Sequence, residues 1–437
     1  MSPCSKTFKI FSVSVVCGIV LSGCLLGYRD LIYNPNALMH KISQEQIIKE
    51  QIVSQEQKAP KEQIAPKEQI IQKAVDYALN PKQLERDIAT LQANFKKAVV
   101  ALTQQIVKKW GNNNAPTASQ VVYVKYTDSY LSRAQVDFDK GVISVETLDT
   151  NNPEMALKRA IVTTLLTPED PEQVDLYSDR EVAFKGKPYL ADLVKDNENQ
   201  VVLYPWRANR YADYLIANAL KTREITENGK SKKVYYVQFN MVQDHAIQSE
   251  HKYGEYVALY AKEYNLEQAL IFAIIKTESS FNPYAVSHIP AYGLMQVVPG
   301  SAGRDVYRSL NNKDGIPTKE MLFTPKTNIQ YGSAYLDILF RRYIKGVNNA
   351  LSQEYCVIAA YNTGSGNVLS VFHKDRTKAI QVINSMTSAE VYRKLRTSLR
   401  YEEARNYLHK VTNAKKDFQK STARMQNIEE NLNLTLL

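Results

Sequence analysis

The chain has 437 residues, 44% hydrophobic and 23% charged, which is the make-up of a folded protein long enough for two domains with cores of their own besides tails and linkers. Its net charge of +10 favours an anionic partner (nucleic acid, lipid headgroups or an acidic polymer) or serves colloidal solubility alone. Neither paired Cys/His ligands nor an aromatic nucleic-acid-binding strand occurs, so no nucleic-acid partner is expected.

At the N-terminus, Lys6 and Lys9 precede an apolar stretch over 10–21, the size of a signal-peptide core and too short to span a bilayer. The stretch ends in Leu21-Ser22-Gly23-Cys24. Small residues just ahead of a cysteine resemble the bacterial lipobox, in which the thiol is lipidated and the chain is cut before it. The alternative is an ordinary secretory peptide with a coincidental cysteine. A signal peptide over 1–23 and acylation of Cys24 are therefore expected, with several acyl chains giving stable anchoring to lipid. Leu25 stands where an aspartate would resemble an inner-membrane retention signal, so the outer membrane, facing the periplasm, is the expected location. Cys4 and Cys17 would leave with the signal. Cys356, among Val357, Ile358, Ala359 and Ala360, reads as a small core residue, and no internal disulfide is expected.

Residues 24–73 read as a low-complexity tether. Ala59-Pro60-Lys61-Glu62-Gln63-Ile64 is repeated directly over 65–70, and Pro60 and Pro66 interrupt the short coiled coil that is the alternative. As a coil, such a segment reaches roughly 40 Å. A first folded unit is expected over 74–245. Residues 74–110 read helical, with Leu84, Ile88, Leu91, Phe95 and Val99 at three- and four-residue spacing. Strand signals follow at 121–124, then a hairpin of 134–138 and 142–147 turning at Asp139-Lys140-Gly141. A helix over 153–166 and a strand over 234–241 complete an α+β pattern. No catalytic constellation is visible in this unit; His245 and the scattered acids read as surface or structural.

Residues 249–437 turn helical. Tyr253, Tyr256, Val257, Tyr260 and Tyr264 form one face of a first helix. Asn265, with Gln268 three residues on, has the spacing of an N-cap and capping box. The next helix, over 266–278, is apolar nearly all round and so is expected to be buried. It carries Glu278 at its end. Burial and the negative end of a helix dipole both disfavour an ionised carboxyl, so Glu278 is a candidate general acid. The alternative is a solvated glutamate at a frayed helix end.

Glu278-Ser279-x-Phe281-Asn282-Pro283, then Ser287, then Ala291-x-Gly293-Leu294-Met295-Gln296, resembles the first motif of the lytic transglycosylases with a goose-type lysozyme fold. Ala360-Tyr361-Asn362-Thr363-Gly364 is similar to a second motif of that family, and Glu403-Ala404-Arg405-Asn406-Tyr407-Leu408 to a third. The resemblance covers about residues 250–412. Pro290 departs from the family's usual glycine-alanine there but removes no chemical group.

The fold implied is an α+β domain followed by a mainly α, lysozyme-like catalytic domain. The activity implied is cleavage of the β-1,4 bond between N-acetylmuramic acid and N-acetylglucosamine in peptidoglycan, without water as nucleophile. Glu278 would protonate the glycosidic oxygen, the substrate's N-acetyl group would stabilise the anomeric carbon, and the carboxylate would then take the 6-hydroxyl proton as a 1,6-anhydro ring closes. Ser287, Gln296, Tyr361, Asn362, Glu403 and Tyr407 carry over as substrate-binding residues, although in a chain with 28 tyrosines each tyrosine alone reads as core. For Glu403 the alternative is an ion pair with Arg405 or another basic neighbour. Met295 reads as core, and Gly293 as the place where backbone approaches the sugar.

No metal or other cofactor is implied. Basic residues crowding the end of the chain (Lys394, Arg396, Arg400, Arg405, Lys410, Lys415, Lys416, Lys420 and Arg424) suit the carboxylates of peptidoglycan stem peptides, or form a solvated face. Enzymes of cell-wall metabolism are possible partners. A hydrolase of the same fold and a non-catalytic wall-binding lipoprotein are the rival readings.

Overall fold

The computed structural model describes residues 81–435 except 228, 288 and 289; the expected signal peptide, Cys24 and the tether lie outside the described residues. The first helix, α1 (Pro81–Trp110), buries Leu84, Leu102, Ile106 and Trp110; of the expected stripe, Ile88, Leu91, Phe95 and Val99 are only half-buried. An antiparallel meander follows: β1 (Val122–Thr127), β2 (Ser132–Asp137) and β3 (Val142–Thr147). The β2–β3 turn falls where Asp139-Lys140-Gly141 was expected to make it. Gly141 is left-handed (φ +65°), and a Cβ there would lie 2.7 Å from the His245 ring. His245 is thus a packing residue at the foot of this turn.

Helices α2 (Pro153–Leu165) and α3 (Pro205–Ala219) precede the last two strands, β4 (Lys221–Glu227) and β5 (Lys230–Asn240). The sheet order is β1-β2-β3-β5-β4, antiparallel throughout. Alternating residues point to two cores. Tyr123, Ala134, Val136, Ile143, Val145 and Val237 face α2 and α3, whereas Val124, Tyr126, Ile225 and Val234 face α1. On the α1 side, Arg133 is buried with Glu146, donating through Nε and Nη2 to Oε2 at 2.8 and 2.6 Å. Its Nη1 donates to Asn114 O, and its guanidinium lies 3.8 Å from the Trp110 ring centroid.

The expected α+β pattern is present, with two elements added. Strand β4 buries only Ile225 and is otherwise polar, as an edge strand tolerates, so it shows no alternation. Helix α3 was legible after all, since Ala208, Tyr211, Ala212 and Leu215 recur at helical spacing and are the residues it buries.

The helical half begins with α4 (His245–Tyr264) and α5 (Gln268–Ser279). It continues through α6 (Arg304–Asn311), α7 (Lys319–Phe323), α8 (Pro325–Ile338), α9 (Ala350–Thr363), α10 (Ser365–Ser370), α11 (Arg376–Asn384), α12 (Ser388–Ser398) and α13 (Glu402–Thr435). Leu270, Ile271, Phe272, Ala273, Ile274 and Ile275 are all buried, so α5 is the central helix its composition demands, packed along α13 and α4. Cys356 is fully buried in α9.

The expected capping box at Asn265 does not form. Asn265 adopts a left-handed conformation (φ +53°) and closes α4, its N–H donating to Ala261 O and Lys262 O, while α5 starts with no side-chain cap. Asparagine tolerates that conformation well, which favoured the C-cap over the N-cap.

Replacing Glu146 by alanine leaves the Arg133 guanidinium buried without its carboxylate. The variant is expected to lose about 3 kcal/mol of stability, measurable as a lower urea midpoint; an unchanged midpoint would show that the pair is not a structural tie.

Candidate active site

Glu278 sits in the last turn of α5 and is 6% exposed. The helix ends abruptly because Ser280 (φ +48°) and Phe281 (φ +65°) are both left-handed, and Ser280 N–H closes the turn on Lys276 O at 3.1 Å. Ser279 Oγ ties that end to the following loop, bonding Leu294 O at 2.8 Å. The buried Asn282 then turns the chain, accepting from Tyr284 N–H at 3.0 Å. Burial pushes the Glu278 carboxyl from an ordinary 4.5 up to about 8. Tyr407 opposes that rise by offering a hydroxyl, and the charge of Glu403 adds to it.

The tyrosines of the second and third motifs converge on this carboxyl. Tyr361, half-buried in α9, donates its hydroxyl to Met295 O at 2.9 Å. Tyr407, buried in α13, makes no hydrogen bond of ordinary geometry through its hydroxyl, yet lies close enough to act on Glu278. Both phenols are held well above their usual range, by burial first and by the neighbouring Glu278 second. Glu403 is exposed at the start of α13 and forms no salt bridge among the described residues. Arg405, the partner in the alternative reading, donates to Leu399 O instead, at 2.5 Å, so Glu403 acts on Glu278 through its charge.

Gln296 is buried and left-handed (φ +48°). Its Nε2 donates to Ala285 O and Gly293 O at 2.9 and 3.0 Å, which commits both amide hydrogens to the protein and leaves Oε1 as a buried acceptor without a partner. Ser287 is half-buried, its N–H directed to Ala291 O at 3.3 Å. Asn362 is half-buried beside Tyr361 and makes no side-chain hydrogen bond to the described residues. Gly364 closes α9 at φ +84°, ψ 147°, a region open essentially to glycine alone, which accounts for the glycine of the second motif.

Gly293 meets a packing constraint that its sequence did not display. A Cβ there would come within 2.5 Å of Asn328 Nδ2 and of Leu322 O, so the protein itself already requires a residue without Cβ. Asn328, on α8, fully buried, was invisible to motif reading. It accepts from Met295 N–H at 2.7 Å and donates to Tyr292 O and Leu322 O at 2.7 and 2.6 Å. Met295 is core, as its sequence indicated. A second missed residue is Gln120, just before β1, whose Nε2 lies 3.4 Å from Glu278 Oε2.

The basic end of the chain is partly structural. Lys415 pairs with Glu354 at 2.8 Å and Glu267 at 3.0 Å, and Arg396, like Arg405, donates to a main-chain carbonyl. Arg400, Lys410, Lys416 and Lys420 are exposed.

A mainly helical domain presenting one buried carboxyl between two tyrosines matches the family described as transglycosylase SLT domain over residues 255–384. The sheet-bearing half matches the N-terminal domain of membrane-bound lytic murein transglycosylase C over 80–252. Fold and site together thus define a two-part protein with a lysozyme-like, SLT-type domain. A relative named membrane-bound lytic murein transglycosylase C from Klebsiella pneumoniae is 45% identical over 71% of this chain and 85% of its own. One of the same name from Yersinia pestis is 41% identical over 78% and 94%. The chain belongs to the membrane-bound lytic murein transglycosylase C family. Among solved structures, the 70 kDa soluble lytic transglycosylase of Escherichia coli aligns at 25% identity with a TM-score of 0.29, covering 37% of this chain and 23% of that one.

Glu278 ionises near pH 8 when folded and near 4.5 when unfolded. Between those values the folded state binds more protons, so stability falls as pH rises through the window. The melting temperature of Glu278→Gln is therefore expected to gain on that of the wild type from about pH 5 to about pH 8. A difference that stays constant over that range would mean the carboxyl titrates normally.

Proposed function

We propose that this chain is a peptidoglycan lytic transglycosylase in which Glu278 is the single acid and base. The observation that carries the reading is a carboxyl that burial keeps protonated at neutral pH, with Tyr361 and Tyr407 beside it and no cation paired to it. Membership of a family named for lytic murein transglycosylases supports the substrate class.

Glu278 donates its proton to the glycosidic oxygen as the muramic C1–O bond breaks. The substrate's N-acetyl group stabilises the positive charge growing at C1. The N-acetylglucosamine alcohol leaves, and the Glu278 carboxylate takes the proton of the muramoyl 6-hydroxyl as O6 closes onto C1, so the product carries a 1,6-anhydro ring and the acid is regenerated. Tyr407, whose hydroxyl is otherwise unbonded, donates to the carboxylate while it is charged. Tyr361 has its proton committed to Met295 O and offers only an acceptor oxygen, and Gln296 Oε1 likewise accepts from a sugar N–H or O–H. Ser287, Asn362 and Glu403 join them as substrate-binding residues on the strength of their motif positions.

The reading also includes attachment to the outer membrane through acylated Cys24, with the body facing the periplasm. Relatives carry "membrane-bound" in their names, and no helix among the described residues is long and apolar enough to cross a membrane.

Digestion of cell-wall sacculi by the chain lacking residues 1–24 is expected to give muramic ends lighter by one water in mass spectrometry. Reducing ends would assign the protein to the hydrolases. Glu278→Gln should slow clearing of sacculi by about a thousandfold while sacculus binding persists. Wild-type kcat/KM should fall as pH rises past about 8, where the acid loses its proton. A Cys24→Ala substitution should leave the specific activity of the protein unchanged but move it from the membrane fraction to the soluble periplasmic fraction.

A further inference from the structure

We propose that Gln120 is a positioning residue of the reaction, so that the N-terminal domain forms part of the catalytic centre. The proposal rests on the reading of Glu278 as acid and base. Its observations are independent of that reading.

Gln120 stands just before β1, 158 residues ahead of Glu278, and touches the helix end twice. Its side-chain Nε2 faces Glu278 Oε2 at 3.4 Å, and its main-chain carbonyl accepts from Asn282 Nδ2 at 3.0 Å. The same domain holds neighbouring residues of this segment at regular intervals. Asp139 Oδ1 accepts from Lys276 Nζ and from Ser280 Oγ, both at 3.1 Å. The Tyr284 hydroxyl donates to Pro168 O, and its ring packs against Tyr123 and Tyr189 at centroid distances of 5.1 and 5.2 Å. Lys276, Glu278, Ser280, Asn282 and Tyr284 are thus all held by the N-terminal domain, and Gln120 is the member that reaches the reacting group.

A carboxamide suits a carboxyl that changes its protonation state. Its NH2 donates to a carboxylate, and its oxygen, after rotation about the last side-chain bond, accepts from a carboxylic acid. The 3.4 Å contact is longer than the 2.7–3.2 Å of an ordinary N–H···O bond. It is therefore weak while Glu278 holds its proton and has room to tighten once the carboxylate forms, which is when the reaction needs the group held still. Being neutral, the amide guides the carboxyl without the large drop in pKa that a cation would impose.

The test uses the soluble chain lacking residues 1–24, with Gln120→Leu and Gln120→Glu. Both variants keep the main-chain carbonyl that anchors Asn282, so the structural tie is retained. For Gln120→Leu, kcat is expected to fall between about tenfold and a hundredfold with KM within about twofold. The alkaline limb of its activity profile should move to higher pH, because a donor that favoured the ionised form is gone. Gln120→Glu should move the limb further up, since a second carboxylate disfavours ionisation of the first. Limbs fixed at the wild-type position in both variants would overturn the proposal, whether kcat is unchanged or falls only in step with melting temperature. Glu278→Gln run in parallel separates the two claims. If it remains active, the reading of Glu278 fails; if it is inactive while both Gln120 variants behave as wild type, only the role of Gln120 fails.

Discussion

The site depends on keeping one carboxyl out of water without giving it a cation. Other half-buried acids of the fold are neutralised by cations: Asp314 lies between Arg304 and Arg308, which hold it well below the usual carboxylate range, and Glu354 meets Lys415. Glu278 has neutral neighbours (Gln120, Tyr361 and Tyr407) and one anion at longer range, Glu403. The cation nearest in sequence, Lys276, is engaged by Asp139 at 3.1 Å. The N-terminal domain thus meets this helix end at Lys276, through Asp139, and at Glu278 itself, through Gln120.

Shape follows from a second set of contacts that converge on one residue. Met295 has its N–H held by Asn328 of α8 and its carbonyl held by Tyr361 of α9, while its side chain packs so closely on Gly332 that a Cβ there would lie 2.3 Å from Sδ. The loop that delivers Gln296 is thereby fixed from both sides. Gly293 belongs to the same arrangement, since only a residue without Cβ fits beside the Asn328 amide. The first and second motifs are linked through this hydrogen-bonded frame, so buried residues such as Asn328 and Gly332 set where Gln296 and Tyr361 stand.

Much of this was legible because the signals are local. An apolar run as long as α5 must be buried, a carboxyl at its end must feel that burial, and Asp139-Lys140-Gly141 between alternating strands must turn. The three motifs gave the carboxyl and both tyrosines. Gln120 and Asn328 were not legible, since each matters through a contact with a distant segment and neither lies in a periodic pattern or a motif. Asn265 shows a different failure: the capping-box spacing was present, but an asparagine able to adopt φ +53° served the preceding helix instead. For Glu403 the alternative of an ion pair is not realised, because Arg405 has a main-chain acceptor, which a sequence does not display.

The net charge of +10 can now be divided between structure and surface. Lys415, Arg396 and Arg405 are committed to partners inside the fold and contribute little to an encounter with an anionic polymer. Arg400, Lys410, Lys416 and Lys420 remain exposed, on or next to α13. At physiological ionic strength their fields decay over about 8 Å, enough to favour contact with a carboxylate-bearing strand but too short to direct it from afar. A cation close to Glu278 would do more for binding an anionic glycan and less for chemistry, because it would draw the proton off the acid. On the proposed reading, placing exposed charge on α13 and neutral hydrogen-bonding groups around Glu278 would separate attraction from catalysis, since it leaves burial as the largest influence on the carboxyl.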